Sequence, residues 1–167
     1  MKLFRAPEKI EVNDNKYLFL AGTIDMGDSE NWQDKIIKDL QEYSVNIISP
    51  RRDDWDNSWK QEYGDPHFYQ QVTWELSGLN RSDIILFNFL ENSKSPITML
   101  ELGLFAGGPA TKLVCCPDGF YRKGNIDIVC SAFKIPVYSS YEDMLSKLKL
   151  LLKKEVGNQV IGFGSGI

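Results

Sequence analysis

The chain has few of the residues that hold metals or form disulfides. Its 167 residues include three cysteines and a single histidine, His67. Cys115 and Cys116 are adjacent, the third is Cys130, and no Cys-x-x-Cys spacing occurs. Zinc sites and disulfide frameworks need clustered or paired ligands of these types. We therefore predict no metal site and no disulfide framework, and a histidine-based triad would have to depend on His67.

Positive charge and long apolar runs are also scarce. The formal net charge is −4 and no basic block is present, so we expect no nucleic-acid polymer as a partner. No segment approaches the roughly 18–20 apolar residues that cross a bilayer. We therefore expect no membrane partner and a cytoplasmic location. With so little histidine and cysteine, any chemistry is expected to depend on carboxylates.

Strand patterns alternate with helix patterns along the chain. The strands are short, continuous apolar runs, which is typical of buried parallel strands. Alternation with amphipathic helices predicts a single α/β domain with an open parallel five-stranded sheet and helices on both faces. We assign residues 1–15 to an N-terminal extension, 16–156 to the domain and 157–167 to a Gly-rich flexible tail. The predicted strands are 17–21, 45–49, 83–89, 112–116 and 136–139, and the predicted helices are 31–43, 67–81, one ending at 107, 126–133 and 141–156.

The most informative segment is residues 95–107, a loop and helix that follow the third predicted strand. In open α/β sheets, ligands bind where strands end and lead into helices. Glu101 shares a helix face with Ile97, Leu104 and Phe105, and we predict that this face packs on the core. A lone acid there costs free energy unless it is paired or used, so Glu101 is a candidate nucleophile or general base. The alternative is a buried acid that caps a neighbouring loop.

A second carboxylate, Glu75, lies on the helix before the third strand. It is three residues after Val72 and four before Leu79, near an apolar stripe, and Gln71 is on the same side. This grouping suggests hydrogen bonding to a polar ligand. The alternative is a boundary residue that reaches to water. A carboxylate nucleophile with further polar groups suits glycosyl transfer, whose transition state resembles an oxocarbenium ion.

Two loops add candidate ligand contacts. Gly22 and Thr23 follow the first strand, where a glycine lets a ligand approach the backbone; the alternative is an ordinary strand-ending turn. The Gly-x-Gly-x-x-Gly fingerprint of dinucleotide binding is absent. After the second strand, Arg51 and Arg52 are suited to an anion and Trp55 to stacking on a base. The alternative is a solvated charged loop.

Three segments occur together in the order typical of a known family. They are Tyr17-Leu-Phe-Leu-Ala-Gly22, Trp74-Glu-Leu-x-x-Leu-x-x-Ser-Asp83 and Glu101-Leu-Gly103. A further segment, Pro50-Arg-Arg-x-x-Trp55, points to a branch of that family with a tryptophan-rich second loop. Over residues 16–155 the chain resembles the nucleoside 2-deoxyribosyltransferase-like proteins. The resemblance implies a flavodoxin-like sheet and cleavage of the N-glycosidic bond of 2′-deoxynucleosides without a cofactor.

The resemblance also implies residue roles. Glu101 matches the glutamate that attacks the anomeric carbon, and the deoxyribosyl ester is then captured by a second base. Glu75 matches an acid that contacts the base, and Asn125 matches an asparagine that a neighbouring subunit contributes, which implies a homo-oligomer. Other members carry an aspartate shortly before the nucleophile, where this chain has Ser93-Lys-Ser-Pro96. The substrate-binding residues that we expect are Gly22, Thr23, Arg51, Arg52, Trp55, Gln71, Ser95, Thr98 and Asn125.

The sequence thus favours an N-deoxyribosyltransferase that acts on a nucleoside or nucleotide through Glu101. One alternative is a nucleotide N-glycosidase that uses water as the acceptor, with Arg51 or Arg52 holding the phosphate. A second alternative is a non-catalytic module that binds a nucleotide.

Overall fold

The fold is an open parallel sheet of six strands in the order β1-β3-β2-β4-β5-β6. We describe it from a computed structural model that covers residues 1–23, 31–52, 54–56 and 58–158. The residues of the predicted tail from 159 onward lie outside this range. The strands are β1 (Lys2–Arg5), β2 (Lys16–Gly22), β3 (Val45–Ser49), β4 (Ile84–Asn88), β5 (Thr111–Cys115) and β6 (Val137–Tyr138). The helices are α1 (Trp32–Asp39), α2 (Pro66–Arg81), α3 (Pro96–Phe105), α4 (Lys123–Ala132) and α5 (Tyr141–Asn158).

The predicted α/β class and parallel sheet are confirmed, with one strand more than the five predicted. The additional strand, β1, lies within the segment that we had placed outside the domain as an extension. It pairs in parallel with β3, with Leu3 opposite Ile47 and Phe4 opposite Ile48. The strand has four residues with a charge at each end, so its apolar pattern is too short to recognise in the sequence. In the structure, the buried side chain of Phe4 packs it onto the sheet.

The helices cover both faces of the sheet because side chains alternate along each strand. In β2, Phe19 and Ala21 belong to one apolar cluster, whereas Leu18 and Leu20 belong to the other. Helices α2, α3 and α4 complete the first cluster, and α1 and α5 complete the second. No helix within the described residues is long and apolar enough to cross a membrane.

The buried face of α3 differs from the one that we predicted. Ile97 and Leu104 are 59% and 63% exposed, whereas Thr98 and Leu102 are buried. Helix α3 is apolar around most of its circumference, so apolar spacing alone does not define which side meets the sheet. Glu101 is half-buried beside the buried face, and not on an apolar stripe that packs on the core.

The face of α2 is also rotated from the prediction. The residues that it buries are Gln71, Gly78 and Leu79, while Val72 and Leu76 are exposed. A Cβ on Gly78 would lie 2.9 Å from a carbon of the Phe19 ring, so the glycine allows close packing on β2. This rotation turns the side of α2 that carries Gln71 and Glu75 toward the interior.

Candidate active site

The two predicted carboxyl groups interact across the helical layer over one face of the sheet. Glu75 lies on α2 and Glu101 on α3, and both are half-buried. Burial raises the pKa of Glu101 to about 8, and the negative charge of Glu75 contributes to the shift. Burial also raises the pKa of Glu75. The structure therefore brings together the two residues that the sequence singled out as catalytic.

Gln71 holds Glu75 in place. Its Nε2 donates to Oε1 of Glu75 at 2.7 Å and to the Pro50 carbonyl at 2.9 Å, which uses both amide hydrogens. The first of these bonds lowers the pKa of Glu75, against the larger effect of burial. The other amide atom, Oε1 of Gln71, is buried and accepts no hydrogen bond from the described part of the chain. An unsatisfied buried acceptor next to a candidate catalytic acid is available to a donor on a ligand.

Burial opposes ionisation of both carboxyl groups, and the charge of Glu75 opposes ionisation of Glu101 further. Two like charges in a partly desolvated place do not both ionise readily, so the pair retains a proton into the neutral range. One carboxylate can then act as a nucleophile while the other, still protonated, acts as an acid. The cysteines are unsuited to such a role, because burial raises the pKa of Cys115 and Cys130 to about 11 and that of Cys116 to about 12.

Three buried hydroxyl groups form a ring where β2 and β4 end. Oγ1 of Thr23 lies 3.0 Å from Oγ of Ser93 and 2.5 Å from Oγ of Ser95, and the two serine oxygens are 2.7 Å apart. Ser93 also donates to the Leu90 carbonyl at 2.8 Å. The ring ties the end of β2 to the loop that enters α3. Thr23 and Ser95 were predicted as ligand contacts, whereas Ser93 was not. Two serines spaced two residues apart just before a helix are recognisable in the sequence, so Ser93 could have been predicted with Ser95.

Ser95 starts the helix that carries Glu101 in an unusual backbone conformation. Its φ of 44° and ψ of 47° lie in the left-handed region, and its side chain does not cap α3. The helix continues with Pro96 at its first position, where the missing N–H costs nothing. Thr98, in the first turn, is buried and forms no side-chain hydrogen bond to another described residue. The hydroxyl ring therefore replaces the usual cap in fixing where α3 begins.

Gly22 has a packing reason to be glycine. A Cβ there would lie 2.6 Å from the Asn88 carbonyl oxygen and 2.6 Å from a ring carbon of Trp32. The Trp32 indole nitrogen donates to the Thr23 carbonyl at 3.0 Å, which holds the ring against this strand end. The close approach at Gly22 is thus to the protein's own β4 and α1.

The two arginines after β3 have different surroundings. Nε and Nη2 of Arg52 each donate to a carboxylate oxygen of Asp54 at 2.8 Å, and its guanidinium lies 4.7 Å from the centre of the Trp59 ring. Arg52 is therefore already paired with an anion of the same loop. Arg51 is half-buried and has no hydrogen bond or ion pair within the described part of the chain. Of the two, Arg51 is the one that is available to an anion.

Aromatic rings organise the loop between β3 and α2. Trp59 stacks on His67 with ring centres 4.9 Å apart, and Trp55 meets Trp59 edge-on at 5.1 Å. Asp65 ends the loop by accepting hydrogen bonds from the backbone N–H groups of His67 and Phe68. Nε1 of Trp55 is buried and has no hydrogen-bond acceptor among residues 1–23, 31–52, 54–56 and 58–158. The loop thus presents an unsatisfied donor, just as Gln71 presents an unsatisfied acceptor.

Ser49 was not recognised from the sequence. It is the last residue of β3, it is fully buried, and its hydroxyl has no partner within the residues that the structure describes. Nothing distinguishes it from an ordinary strand-ending serine until the parallel sheet places it at the same edge as Gly22 and Asn88. Asn125, by contrast, is exposed in the first turn of α4, and its contact with a neighbouring subunit stays a prediction. Within the described residues no group of acids, histidines and cysteines is arranged to hold a metal.

Comparisons with known proteins agree with this architecture. A crystal structure described as a conserved protein from Enterococcus faecalis V583 superposes with a TM-score of 0.62, covering 83% of this chain and 100% of that chain at 14% identity. That likeness shows the fold alone. The search among curated proteins gives no match. A family described as nucleoside 2-deoxyribosyltransferase like matches residues 15–120, which include both carboxyl groups and the hydroxyl ring. The chain belongs to the nucleoside 2-deoxyribosyltransferase-like family.

Proposed function

We propose that the protein is an N-deoxyribosyltransferase that moves 2-deoxyribose between nucleobases through an ester on Glu101. The observation that carries the proposal is the interacting carboxyl pair, Glu101 and Glu75, in a chain of this family. A raised pKa on two neighbouring acids is a frequent property of catalytic sites. It disfavours a module that only binds a nucleotide, which has no need for a desolvated carboxyl pair.

The first half-reaction needs Glu101 ionised and Glu75 protonated. Because burial keeps the proton on Glu101 at neutral pH, that proton first passes from Glu101 to Glu75 when the substrate binds. A carboxylate oxygen of Glu101 attacks C1′ as the bond from C1′ to the base nitrogen breaks, and the bonding electrons leave with the base. The proton on Glu75 passes to the departing base, since an unprotonated base is a poor leaving group. Gln71 donates to Oε1 of Glu75, so we assign the transferred proton to the other oxygen. Glu75 ends this step ionised and Glu101 ends it esterified.

The second half-reaction reverses these roles. A nitrogen of the incoming base attacks C1′, the ester bond breaks, and Glu101 leaves as a carboxylate. The proton that the incoming base loses returns to Glu75, so the pair is restored. Water in place of the second base would release free deoxyribose by the same steps. Transfer therefore requires that the site exclude water from the ester.

Unsatisfied polar atoms are available to orient the substrate. Oε1 of Gln71 is an acceptor and Nε1 of Trp55 is a donor, and neither has a partner among the described residues. The hydroxyls of Thr23 and Ser95 and the side chain of Thr98 lie on the segments that lead to Glu101, where the sugar would sit. We assign base recognition to the first pair and sugar positioning to the hydroxyl groups.

One observation favours a second candidate, a nucleotide N-glycosidase with water as the acceptor. Arg51 is half-buried at the end of β3 and has no partner among the described residues. A guanidinium in this position is suited to a 5′-phosphate. A monophosphate substrate would make activity depend on Arg51 and fall with added salt, because the contact is between charges.

We also propose a homo-oligomer in which a neighbour completes the site. Ile97, Leu100 and Leu104 form an exposed apolar face on α3, the helix that carries Glu101, with exposures of 59%, 66% and 63%. Contiguous exposed apolar side chains often mark interaction surfaces. A second copy that covers this face would lie beside the carboxyl pair and could bring Asn125 to it.

The test is incubation of the protein with a panel of deoxynucleosides and their 5′-monophosphates, with and without an acceptor base. Chromatography follows the free base and the new nucleoside. We expect exchange of bases on deoxynucleosides, and no exchange or release with Glu101→Gln. Release without exchange, restricted to monophosphates and lost in Arg51→Gln, would support the glycosidase. Binding without release by the wild type would support a non-catalytic module.

A further inference from the structure

A cavity lies at the amino ends of strands β5 and β6, away from the carboxyl pair. Its volume is about 350 Å³, and it is bordered by the segment between α3 and β5 and by the segment between α4 and β6. These segments adjoin the amino ends of β5 and β6, whereas the candidate active site is at the carboxyl ends of the strands. The residues that matter for the argument are Ala106, Gly108, Lys112, Phe133, Lys134 and Pro136. We call it the Lys112 cavity.

Lys112 is the unusual residue of this cavity. Lys112 is only 7% exposed, and its ammonium donates to the carbonyl oxygen of Gly108. Burial lowers the pKa of Lys112, and no carboxylate is paired with it in the described part of the chain. An ammonium has three N–H donors, so this one has capacity for more than a single carbonyl. A buried charge without a counterion costs free energy unless a partner is supplied.

The rest of the lining matches an anion with an apolar body. Lys134 adds a second positive charge, and the lining contains no acidic residue. The ring of Phe133 is 52% exposed and offers a flat apolar surface. A water occupies roughly 30 Å³ of liquid, so the cavity exceeds what an inorganic ion needs and falls in the lower range of small-molecule sites.

We propose that the Lys112 cavity binds a small organic anion, with its carboxylate or phosphate group on the Lys112 ammonium and a planar body against Phe133. This inference is independent of the proposed deoxyribosyl transfer. It competes with a purely structural role, in which Lys112 stabilises the end of α3 through the Gly108 carbonyl and binds nothing. Such a role fits a cation near a helix carboxyl end, so the experiment has to measure binding as well as stability.

Four probes separate the parts of the proposal. Benzoate and phenyl phosphate carry the same ring with different anionic groups, benzyl alcohol carries the ring without charge, and inorganic phosphate carries charge without the ring. Titration of the full chain, followed by chemical-shift changes of the amide groups of residues 106–112 and 133–136, gives a Kd for each probe. We expect saturable binding of at least one of the two ring-bearing anions, with a Kd of about 1 mM or tighter. Benzyl alcohol and inorganic phosphate are expected to bind at least about tenfold more weakly, because each lacks one half of the contacts.

Matched variants assign the binding to Lys112. Lys112→Met keeps the length of the side chain and removes the charge, and we expect at least about a tenfold loss of affinity for the anion that binds. Lys38→Met removes an exposed lysine on α1 and is expected to leave affinity unchanged. Phe133→Ala changes an exposed side chain, so it tests the ring contact even if Lys112→Met does not fold.

Three results would overturn the binding of an anion in the Lys112 cavity. They are the absence of saturable binding by both ring-bearing anions, equal affinity for benzyl alcohol, and unchanged affinity in both Lys112→Met and Phe133→Ala. A loss of stability in Lys112→Met together with the first of these results would establish the structural role. Inorganic phosphate that binds as tightly as phenyl phosphate would overturn the assignment of an organic ligand.

Discussion

At the scale of single residues, Glu101 is where catalysis and stability oppose each other. Folding raises its pKa from 4.5 to about 8, so the native state holds the proton more tightly than the unfolded chain does. The resulting stabilisation is fully present below about pH 4.5 and is lost as the pH rises through about 8. A nucleophile has to be ionised, so the catalytically useful form is the one that burial disfavours.

We predict that Glu101→Gln removes activity and stabilises the fold at alkaline pH. Loss of a covalent nucleophile is expected to lower turnover by several orders of magnitude. The uncharged amide avoids burial of a carboxylate, so the Tm is expected to exceed that of the wild type at about pH 9 by roughly 3 °C or more. The difference is expected to vanish near pH 4, where wild-type Glu101 is protonated. Turnover above about a tenth of the wild-type rate would remove Glu101 from the role of nucleophile.

We predict that Glu75→Gln separates acid catalysis from nucleophilic attack. N7-methyl-2′-deoxyguanosine carries a cationic base that leaves without protonation, so its cleavage is expected to survive in this variant. Cleavage of unmodified deoxynucleosides is expected to fall by about 10²–10⁴-fold, the usual contribution of a general acid. Chromatographic rates for the two substrates, with Glu101→Gln inactive on both, make the comparison. Equal losses on both substrates would contradict the assignment of Glu75 as the acid.

The sequence allowed prediction of the two carboxylates but not of their surroundings. Glu75 and Glu101 are conspicuous because acids are rare among apolar helix positions. Arg52 pairs with Asp54, two residues away, but no periodic pattern in the sequence distinguishes a paired arginine in a loop from a free one. The Ser49 hydroxyl has no partner among the described residues because of the side chains that the sheet brings near it. Side-chain pairing within loops and across strands is tertiary information.

At the scale of elements, the helix faces show why apolar spacing misled us. Helix α3 offers apolar residues on most of its sides, so the pattern that includes Ile97 and Leu104 is no stronger than the one that includes Leu102. Helix α2 packs on β2 through Gly78, a residue that contributes little to an apolar pattern. The elements themselves were predicted from Gly and Pro boundaries and from continuous apolar strands, which are local signals. Their rotation depends on contacts that no local signal contains.

The start of α3 gives a prediction about backbone conformation. Ser95 adopts left-handed torsion angles that cost a non-glycine residue about 1–2 kcal/mol. Ser95→Ala and Ser95→Gly both lose the hydroxyl from the ring with Thr23 and Ser93, but only glycine relieves the backbone. We predict that the glycine variant is more stable than the alanine variant by about 1 kcal/mol, as measured by urea unfolding. An alanine variant that is as stable as the glycine variant would show that the loop relaxes out of this conformation.

The aromatic loop gives a prediction about the ligand. We predict that a bound deoxynucleoside quenches tryptophan fluorescence, that Trp55→Ala abolishes most of this quenching, and that Trp55→Phe lowers affinity by about tenfold. Phenylalanine keeps an aromatic ring but lacks the N–H, which is buried and unpaired within the described part of the chain. Trp59→Phe is the matched control, because it changes the same ring type in the same loop. Equal effects of Trp55→Phe and Trp59→Phe would show that the loop contributes only its packing.

At the scale of the whole molecule, the sheet was predictable because a parallel arrangement buries both faces of its strands. The central strands β2, β3 and β4 are buried along almost their whole length and therefore have nearly continuous apolar sequences. The edge strand β1 was missed because its four residues, with a charge at each end, form too short an apolar pattern. The oligomeric state, by contrast, is specified neither by the apolar runs of the strands nor by the apolar spacing of the helices.

The exposed apolar face of α3 leads to the final prediction, that a dimer or larger assembly completes the active site with Asn125. The expected numbers follow for a symmetric dimer in which each site uses Glu101 from one subunit and Asn125 from the other. After exchange of equal amounts of Glu101→Ala and Asn125→Ala, half of the dimers are mixed, and one of their two sites has both residues. Activity is therefore expected to recover to about a quarter of the wild-type value, although neither parent is active.

A mixture of the wild type with the double variant supplies the control. Mixed dimers then contain no complete site, so activity is expected to fall to about a quarter of that of an all-wild-type sample, compared with about half if each subunit has its own site. Light scattering at micromolar concentration establishes the assembly, and differently tagged subunits establish exchange. Two results would show that the carboxyl pair works within one chain, closed over by its own loop between β3 and α2. The first is a monomer in solution. The second is verified subunit exchange that restores no activity, together with a control mixture that retains half of the wild-type activity.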